Sequence, residues 1–102
     1  MNKMSCDFFL GIPFNIASYA LLLELIAKEC GLKANKLIGF LGDVHIYHNH
    51  LEQIKLQLSR EPYPAPKLVL SSEYDSIFDW EWSDATLEGY ECHSVITGEV
   101  AI

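Results

Sequence analysis

Apolar and polar positions alternate between several distinct patterns along this chain. Residues 5–10, SCDFFL, are mostly apolar and run into Gly11 and Pro13, a pattern that predicts a short strand closed by a turn. In residues 16–27, ten of twelve positions are apolar, with Ser18 and Glu24 the exceptions. A helix that is apolar nearly all round belongs in a core, so this segment is expected to be a buried central helix. Pro13 lies near its start, where a missing N–H costs little. Gly31 stops it, and Lys28 in the last turn complements the helix dipole.

Residues 37–47, LIGFLGDVHIY, read as the next strand, with Val44 and Ile46 on one face and Asp43, His45 and Tyr47 on the other. Asn49 followed three positions later by Glu52 has the spacing of a capping box, and predicts a second helix over residues 50–60 with Leu51, Ile54 and Leu58 on one side. EPYPAP, residues 61–66, is a stiff extended linker. KLVL is a strand, a turn follows around residues 74–76, and a last strand is expected over residues 77–82. No internal repeat or low-complexity stretch is present. The terminal VAI is apolar, and an apolar end is expected to dock rather than fray.

At 102 residues the chain has room for one domain with a modest core. Half of its residues are hydrophobic, more than so short a chain can bury, which predicts a large face that meets another chain. The net charge is −7 with seven Lys plus Arg, against the clustered cations of a nucleic-acid footprint. Cys6, Cys30 and Cys92 are widely spaced and form no C-x-x-C, which fits reduced thiols in a cytoplasmic protein. Asp7 inside the early run and the absence of a small-residue cleavage site argue against a signal peptide, and the polar interruptions at Asn15, Ser18 and Glu24 argue against a membrane span.

Two constellations carry candidate chemistry. The first is Asp43, His45, Tyr47, His48 and His50. His45 with His48, or His48 with His50, offers metal-ligand chemistry, but no cysteine lies near and the strand ends between them. A Cys–His nucleophilic pair has no support from spacing, and a solvated, capping histidine run is the plain alternative. His45 and Tyr47 on one face at a strand end are placed where polar ligand contacts belong. The second constellation is Asp7 with Asn15. Asn15 is either an N-cap or a ligand group, since an amide carries donor and acceptor side by side and matches an imide edge. Asp7 is either a solvated strand residue or part of the same site. Trp80, Trp82 and Tyr90 read as packing residues.

The longer words are more specific. SCDFFLGIPFNIASYALL, GDVHIYHNHLEQIKLQLSREP, PKLVL, SIFDW, LEGY and the terminal VAI, in this order and without gaps, resemble the C-terminal part of thymidylate synthase. The resemblance covers residues 5–102, with residues 1–4 a non-matching start. It implies an α+β fold, a mixed β-sheet with helices packed over one face, here as a C-terminal fragment. It implies the transfer of a methylene group from 5,10-methylenetetrahydrofolate to C5 of dUMP, followed by reduction to methyl with the same folate and no metal. By motif, Ser5 would contact the nucleotide phosphate, Asn15 the uracil edge, and His45 and Tyr47 the ribose 3′-hydroxyl. Asp7 would bind and position the pterin. Leu10, Gly11 and Phe14 would line the folate pocket, and Val100, Ala101 and Ile102 would close over it. A related family of deoxycytidylate hydroxymethylases carries Asp where Asn15 stands, so Asn15 implies uracil over cytosine.

The chain also departs from the family pattern. The nucleophilic cysteine of the family lies in a Pro-Cys-His motif that these residues do not contain, and Cys6, which follows Ser5, is expected to face packing. Met4 stands where the family has a phosphate-binding Arg, Leu41 where it usually has a small residue, and ECHS, residues 91–94, where it has Asp-Pro-His-Pro, which is expected to loosen a surface loop. Without the nucleophile the site has no route to an activated C5, so the chain alone is expected not to catalyse, with Asp7 and Asn15 in supporting roles. Its leading Met points to a separately translated piece, half of a split enzyme whose second chain carries the cysteine, and assembly as a homodimer or heteromer is expected. A truncated gene or a cut fragment are the other origins. The alternatives in function are a deoxyuridylate hydroxymethylase component and a non-catalytic binding module.

Overall fold

The computed structural model describes residues 2–71 and 75–101. The chain runs through strand β1 (Asn2–Asp7), helix α1 (Ile12–Glu29), strand β2 (Phe40–His45), a 3-10 turn (His48–His50), helix α2 (Leu51–Leu58), strand β3 (Lys67–Leu70), two further 3-10 turns (Ile77–Asp79 and Trp82–Asp84) and strand β4 (Ala85–Glu88). The α+β class therefore holds. The strands form two two-stranded sheets: β1 beside β2, parallel, and β3 beside β4, antiparallel. The parallel pair needs a crossover, and α1 supplies it.

The first strand stops earlier than the apolar run predicts. Asp7 Oδ1 accepts from the Phe9 and Leu10 amides at 3.1 and 3.2 Å, which bends the chain into a turn before α1. Gly11 donates to Asp7 O at 3.2 Å, and a Cβ at Gly11 would lie 2.9 Å from that oxygen, so the turn closes only on glycine. The helix begins at Ile12 with Pro13 in its first turn and ends in a Schellman motif. There Gly31, at φ +65°, donates to Lys28 O, and Leu32 donates to Ala27 O.

The helix is not the buried central element its composition predicts. Only Ile12, Leu25 and Ala27 of α1 are buried, and Phe14, Ile16, Tyr19, Leu22 and Ile26 are exposed. The described core is small: Cys6, Phe9, Ile12, Leu25, Ala27 and Ile54, with His50. A chain of this length lacks the surface to wrap an apolar helix on all sides. The second strand is also shorter than expected, Phe40–His45 rather than residues 37–47, and residues 40–44 are all exposed.

Asn49 does not cap α2. Its side chain donates to Glu99 O at 3.3 Å, while Glu52 accepts from Lys55 Nζ at 2.8 Å. The residues before α2 tighten into a 3-10 turn instead, and of the expected stripe Ile54 is buried while Leu51 and Leu58 are exposed. The strand expected over residues 77–82 is replaced by the two 3-10 turns, with the strand displaced to Ala85–Glu88. Ser76 accepts from Phe78 N, and Glu81 and Asp84 cap each other's backbone, so local side-chain acceptors outcompete a ladder there. Of the turn expected around residues 74–76, Tyr74 lies outside the described residues. Trp82 and Tyr90, read as packing, are exposed; Trp80 is half-buried against the edge of Trp82, with ring centroids 5.0 Å apart.

The second sheet is moored to the end of α1. Lys28 Nζ donates to Ser71 O, and Glu29 Oε2 accepts from Ile77 N at 2.8 Å. The linker at residues 61–66 has no regular structure, as expected, and holds the 91–94 loop. Arg60 donates to Ser94 O at 2.7 Å, His93 Nε2 donates to Glu61 O at 2.8 Å, and the Tyr63 and His93 rings lie 4.6 Å apart.

Candidate functional site at the ends of the parallel strands

The parallel register sets Ser5 opposite Asp43 and Asp7 opposite His45. Alternation along the strands then gives Ser5, Asp7, Asp43 and His45 one face, and Cys6 and Val44 the other. Cys6 is fully buried on that second side, in keeping with a packing role. Ser5 is exposed, and Asp7 and His45 are half-buried at the C-terminal ends of their strands. Phe8 N donates to His45 O at 3.0 Å, which carries the pairing one residue past Asp7.

From His45 a chain of rings leads inward. The His45 and Tyr47 rings meet edge-on at 4.9 Å, Tyr47 and His50 edge-on at 5.9 Å, and His50 and Phe9 at 5.2 Å. His45 Nδ1 is 3.8 Å from Asp43 Oδ1, too far for a hydrogen bond. The shared face expected for His45 and Tyr47 is thus realised as a ring contact, although Tyr47 lies beyond the end of β2.

Asn15 is not an N-cap. It sits inside the first turn of α1, where its amide N donates to Gly11 O at 3.0 Å, and α1 begins without a side-chain cap. Its side-chain oxygen is buried and has no hydrogen-bond partner among the described residues. An unpaired buried acceptor costs roughly 1–3 kcal/mol, which makes this amide an energetic liability within the chain. The turn that crowds it is the one Asp7 and Gly11 build: a Cβ at Gly11 would lie 3.5 Å from Asn15 Oδ1. Asp7, Gly11 and Asn15 are therefore brought together. Leu10 is half-buried beside them, and Phe14 projects outward at 71% exposure.

The end of the chain returns to the same place. Glu99 O accepts from His50 Nε2 at 2.6 Å and from Asn49 Nδ2 at 3.3 Å. A Cβ at Gly98 would meet Phe9 Cε1 at 2.7 Å and His50 Cδ2 at 3.3 Å. The segment before the apolar end thus docks through residues 98–99, whereas the sequence predicts docking of the VAI end itself. Val100 is exposed, Ala101 half-buried, and Ile102 lies outside the described residues. An open pocket of about 440 Å³, lined by Asn49, Gln53, Thr97, Gly98 and Glu99, lies beside this end. It includes none of Ser5, Asp7, Asn15, His45 or Tyr47.

Sequence reading missed His50, Phe9 and Gly98 as members of the assembly. His50 stood among candidate metal ligands and helix-starting residues, but it is wholly buried and spends Nε2 on a backbone carbonyl 49 positions away. Its neighbour in sequence, Asn49, carried a capping signal that pointed to the wrong partner. Among the described residues no three His, Cys, Asp or Glu side chains gather to hold a metal ion. No helix among them is long and apolar enough to cross a membrane. Among the described residues Cys6, Cys30 and Cys92 form no disulfide, and the last two are exposed.

Comparison with known proteins agrees with the motifs. The family profile of thymidylate synthase matches residues 1–102. A thymidylate synthase of Mesoplasma florum is 61% identical over 102 residues, which are 100% of this chain and 35% of that relative. The chain thus spans about a third of the length of the curated relative it matches. It belongs to the thymidylate synthase family.

Proposed function

We propose that this chain supplies the pyrimidine-reading and folate-contacting portion of a site that methylates dUMP to dTMP with 5,10-methylenetetrahydrofolate. The observation that carries the reading is the buried, unpartnered oxygen of Asn15 beside the Asp7–Gly11 turn. A uracil edge offers an N–H donor next to a carbonyl acceptor, and the amide of Asn15 offers the reverse pair. Its terminal torsion is soft, so the oxygen can turn toward an arriving N–H. Pairing there relieves the cost the amide carries within the chain.

The other roles are carried over from the family motifs. His45 and Tyr47, in ring contact at the end of β2, hold the ribose 3′-hydroxyl. Ser5, exposed on the same face of the sheet as Asp7 and His45, meets the phosphate. Asp7 anchors the pterin; Leu10, Gly11 and Phe14 line the folate pocket; and Val100, Ala101 and Ile102 close over it. Orientation is what these groups contribute. The attack that activates C5 needs a nucleophilic thiolate, and we assign it to a Pro-Cys-His segment outside these residues, in a cytoplasmic assembly. The exposed apolar side chains along α1 support further protein surface packed over them.

The test mixes this chain with a polypeptide that carries the Pro-Cys-His segment and follows product formation from dUMP. Thymidylate in the mixture only, lost on Asn15→Ala, is the expected result. Accumulation of a 5-hydroxymethyl product would move the chain to the hydroxymethylase class. Stable folding with no turnover in any mixture would leave a binding module.

A further inference from the structure

We propose that Asn49 and His50 form a two-donor clamp on the carbonyl of Glu99, and that this clamp positions residues 98–101 against the strand-end site. The inference rests on the proposed closing role of these residues and deepens it. Neither donor is part of the surface that reads the nucleotide; both act on the backbone of the chain's last segment.

The geometry is specific. A carbonyl only accepts, so His50 Nε2 carries the hydrogen in the 2.6 Å contact with Glu99 O. Asn49 Nδ2 reaches the same oxygen at 3.3 Å, so that one carbonyl accepts from two side chains. His50 is itself held from the other side. It is fully buried, lies 5.2 Å from the Phe9 ring and meets Tyr47 edge-on at 5.9 Å, and Tyr47 in turn meets His45. Gly98 then lies against both Phe9 and His50, where a Cβ would come within 2.7 and 3.3 Å. The clamp therefore fixes the segment at a point next to the turn that carries Asp7, Leu10 and Gly11. Beyond it Val100 is 76% exposed, so the residues after the clamp are presented rather than packed.

This arrangement explains why a buried histidine and an exposed amide sit side by side with no helix-capping duty. It makes Asn49 and His50 positioning residues. A purely structural His50 would need only its ring packing, whereas a clamp needs the N–H.

Carboxypeptidase digestion of the 102-residue chain, read by mass spectrometry, tests this without substrate. Release of residue 100 meets no clamp, whereas release of Glu99 and Gly98 requires it to open, and cleavage of such an opened state tracks its population. Removing one donor with Asn49→Ala or His50→Leu is expected to speed release of Glu99 about fivefold, the scale of one hydrogen bond. His50→Gln, whose amide N–H can occupy the place of Nε2–H, is expected to return the rate to within about twofold of the unsubstituted chain. Circular dichroism checks that each variant is folded; if His50→Leu is not, the exposed Asn49→Ala decides alone. Unchanged release of Glu99 in folded Asn49→Ala overturns the clamp. Normal clamping in a chain that never supports thymidylate formation would instead sink the proposed function and leave the clamp standing.

Discussion

At the C-terminal ends of β1 and β2 the rings of His45, Tyr47, His50 and Phe9 touch in sequence, and a carbonyl from the far end of the chain completes the group. Along α1 the situation is reversed: Phe14, Ile16, Tyr19, Leu22 and Ile26 are exposed although the helix is the most apolar stretch of the chain. The two regions differ in where their partners come from. The strand-end cluster is packed by residues of this chain, and its unmet demands are polar: the Asn15 side-chain oxygen and His50 Nδ1. The helix makes an apolar demand that these residues do not meet. A polar vacancy selects a ligand by hydrogen bonding, whereas an apolar one is filled by area, so the first region argues for a small molecule and the second for protein.

The largest effect is expected where the polar demand is removed. In the active mixture Asn15→Ala should lower kcat/KM for dUMP about 10²–10³-fold, the scale of a buried hydrogen-bonding group aimed at the reacting molecule. Asn15→Asp, which exchanges a donor for an acceptor, should shift preference toward an aminopyrimidine, measured as the ratio of kcat/KM for dUMP and dCMP. Equal activity in both variants would break the comparison, because the orphaned oxygen would then have no ligand.

Next comes packing. Ile54 is 6% exposed and Ile26 47% exposed, so the same truncation asks different questions of them. Ile54→Ala should cost about 2–4 kcal/mol in urea denaturation of the isolated chain. Ile26→Ala should cost under about 0.5 kcal/mol there, while weakening association in the mixture. Similar costs at both sites in the isolated chain would mean that α1 is covered in solution by another copy. Gly11→Ala should fall between, at about 1–3 kcal/mol, since its Cβ would press on the backbone oxygen of Asp7 rather than on a side chain that can yield.

Much of this was legible in the residues. Gly11, Pro13 and Gly31 bound α1 because each acts through its own backbone, with no help from distant groups. The grouping of Asp7, Asn15, His45 and Tyr47 rests on motif resemblance, and of these the parallel register sets only Asp7 opposite His45. What was not legible depended on competition between distant and local partners. The helix read as buried because apolar content reports what a segment wants, not what surrounds it. Residues 77–82 read as a strand because the caps offered by Ser76, Glu81 and Asp84 leave no mark on hydrophobic period. His50 was unreadable as a clamp, since its partner is a carbonyl, which every residue carries.

The smallest expected effect separates the two readings of α2's start. If Asn49 and Glu52 formed the capping box their spacing predicts, Glu52→Ala would remove a cap and cost about 1 kcal/mol. In the structure Glu52 instead meets Lys55 across 2.8 Å on an exposed face, with their side chains 82% and 70% exposed. An exposed pair one turn apart contributes about 0.3–0.5 kcal/mol and fades with salt. Glu52→Ala should therefore lower stability by less than about 0.5 kcal/mol, and the loss should vanish at roughly 1 M salt, where screening acts within about 3 Å. A salt-independent loss near 1 kcal/mol would restore the capping box. It would also turn Asn49 toward the helix and leave His50 to hold Glu99 by itself.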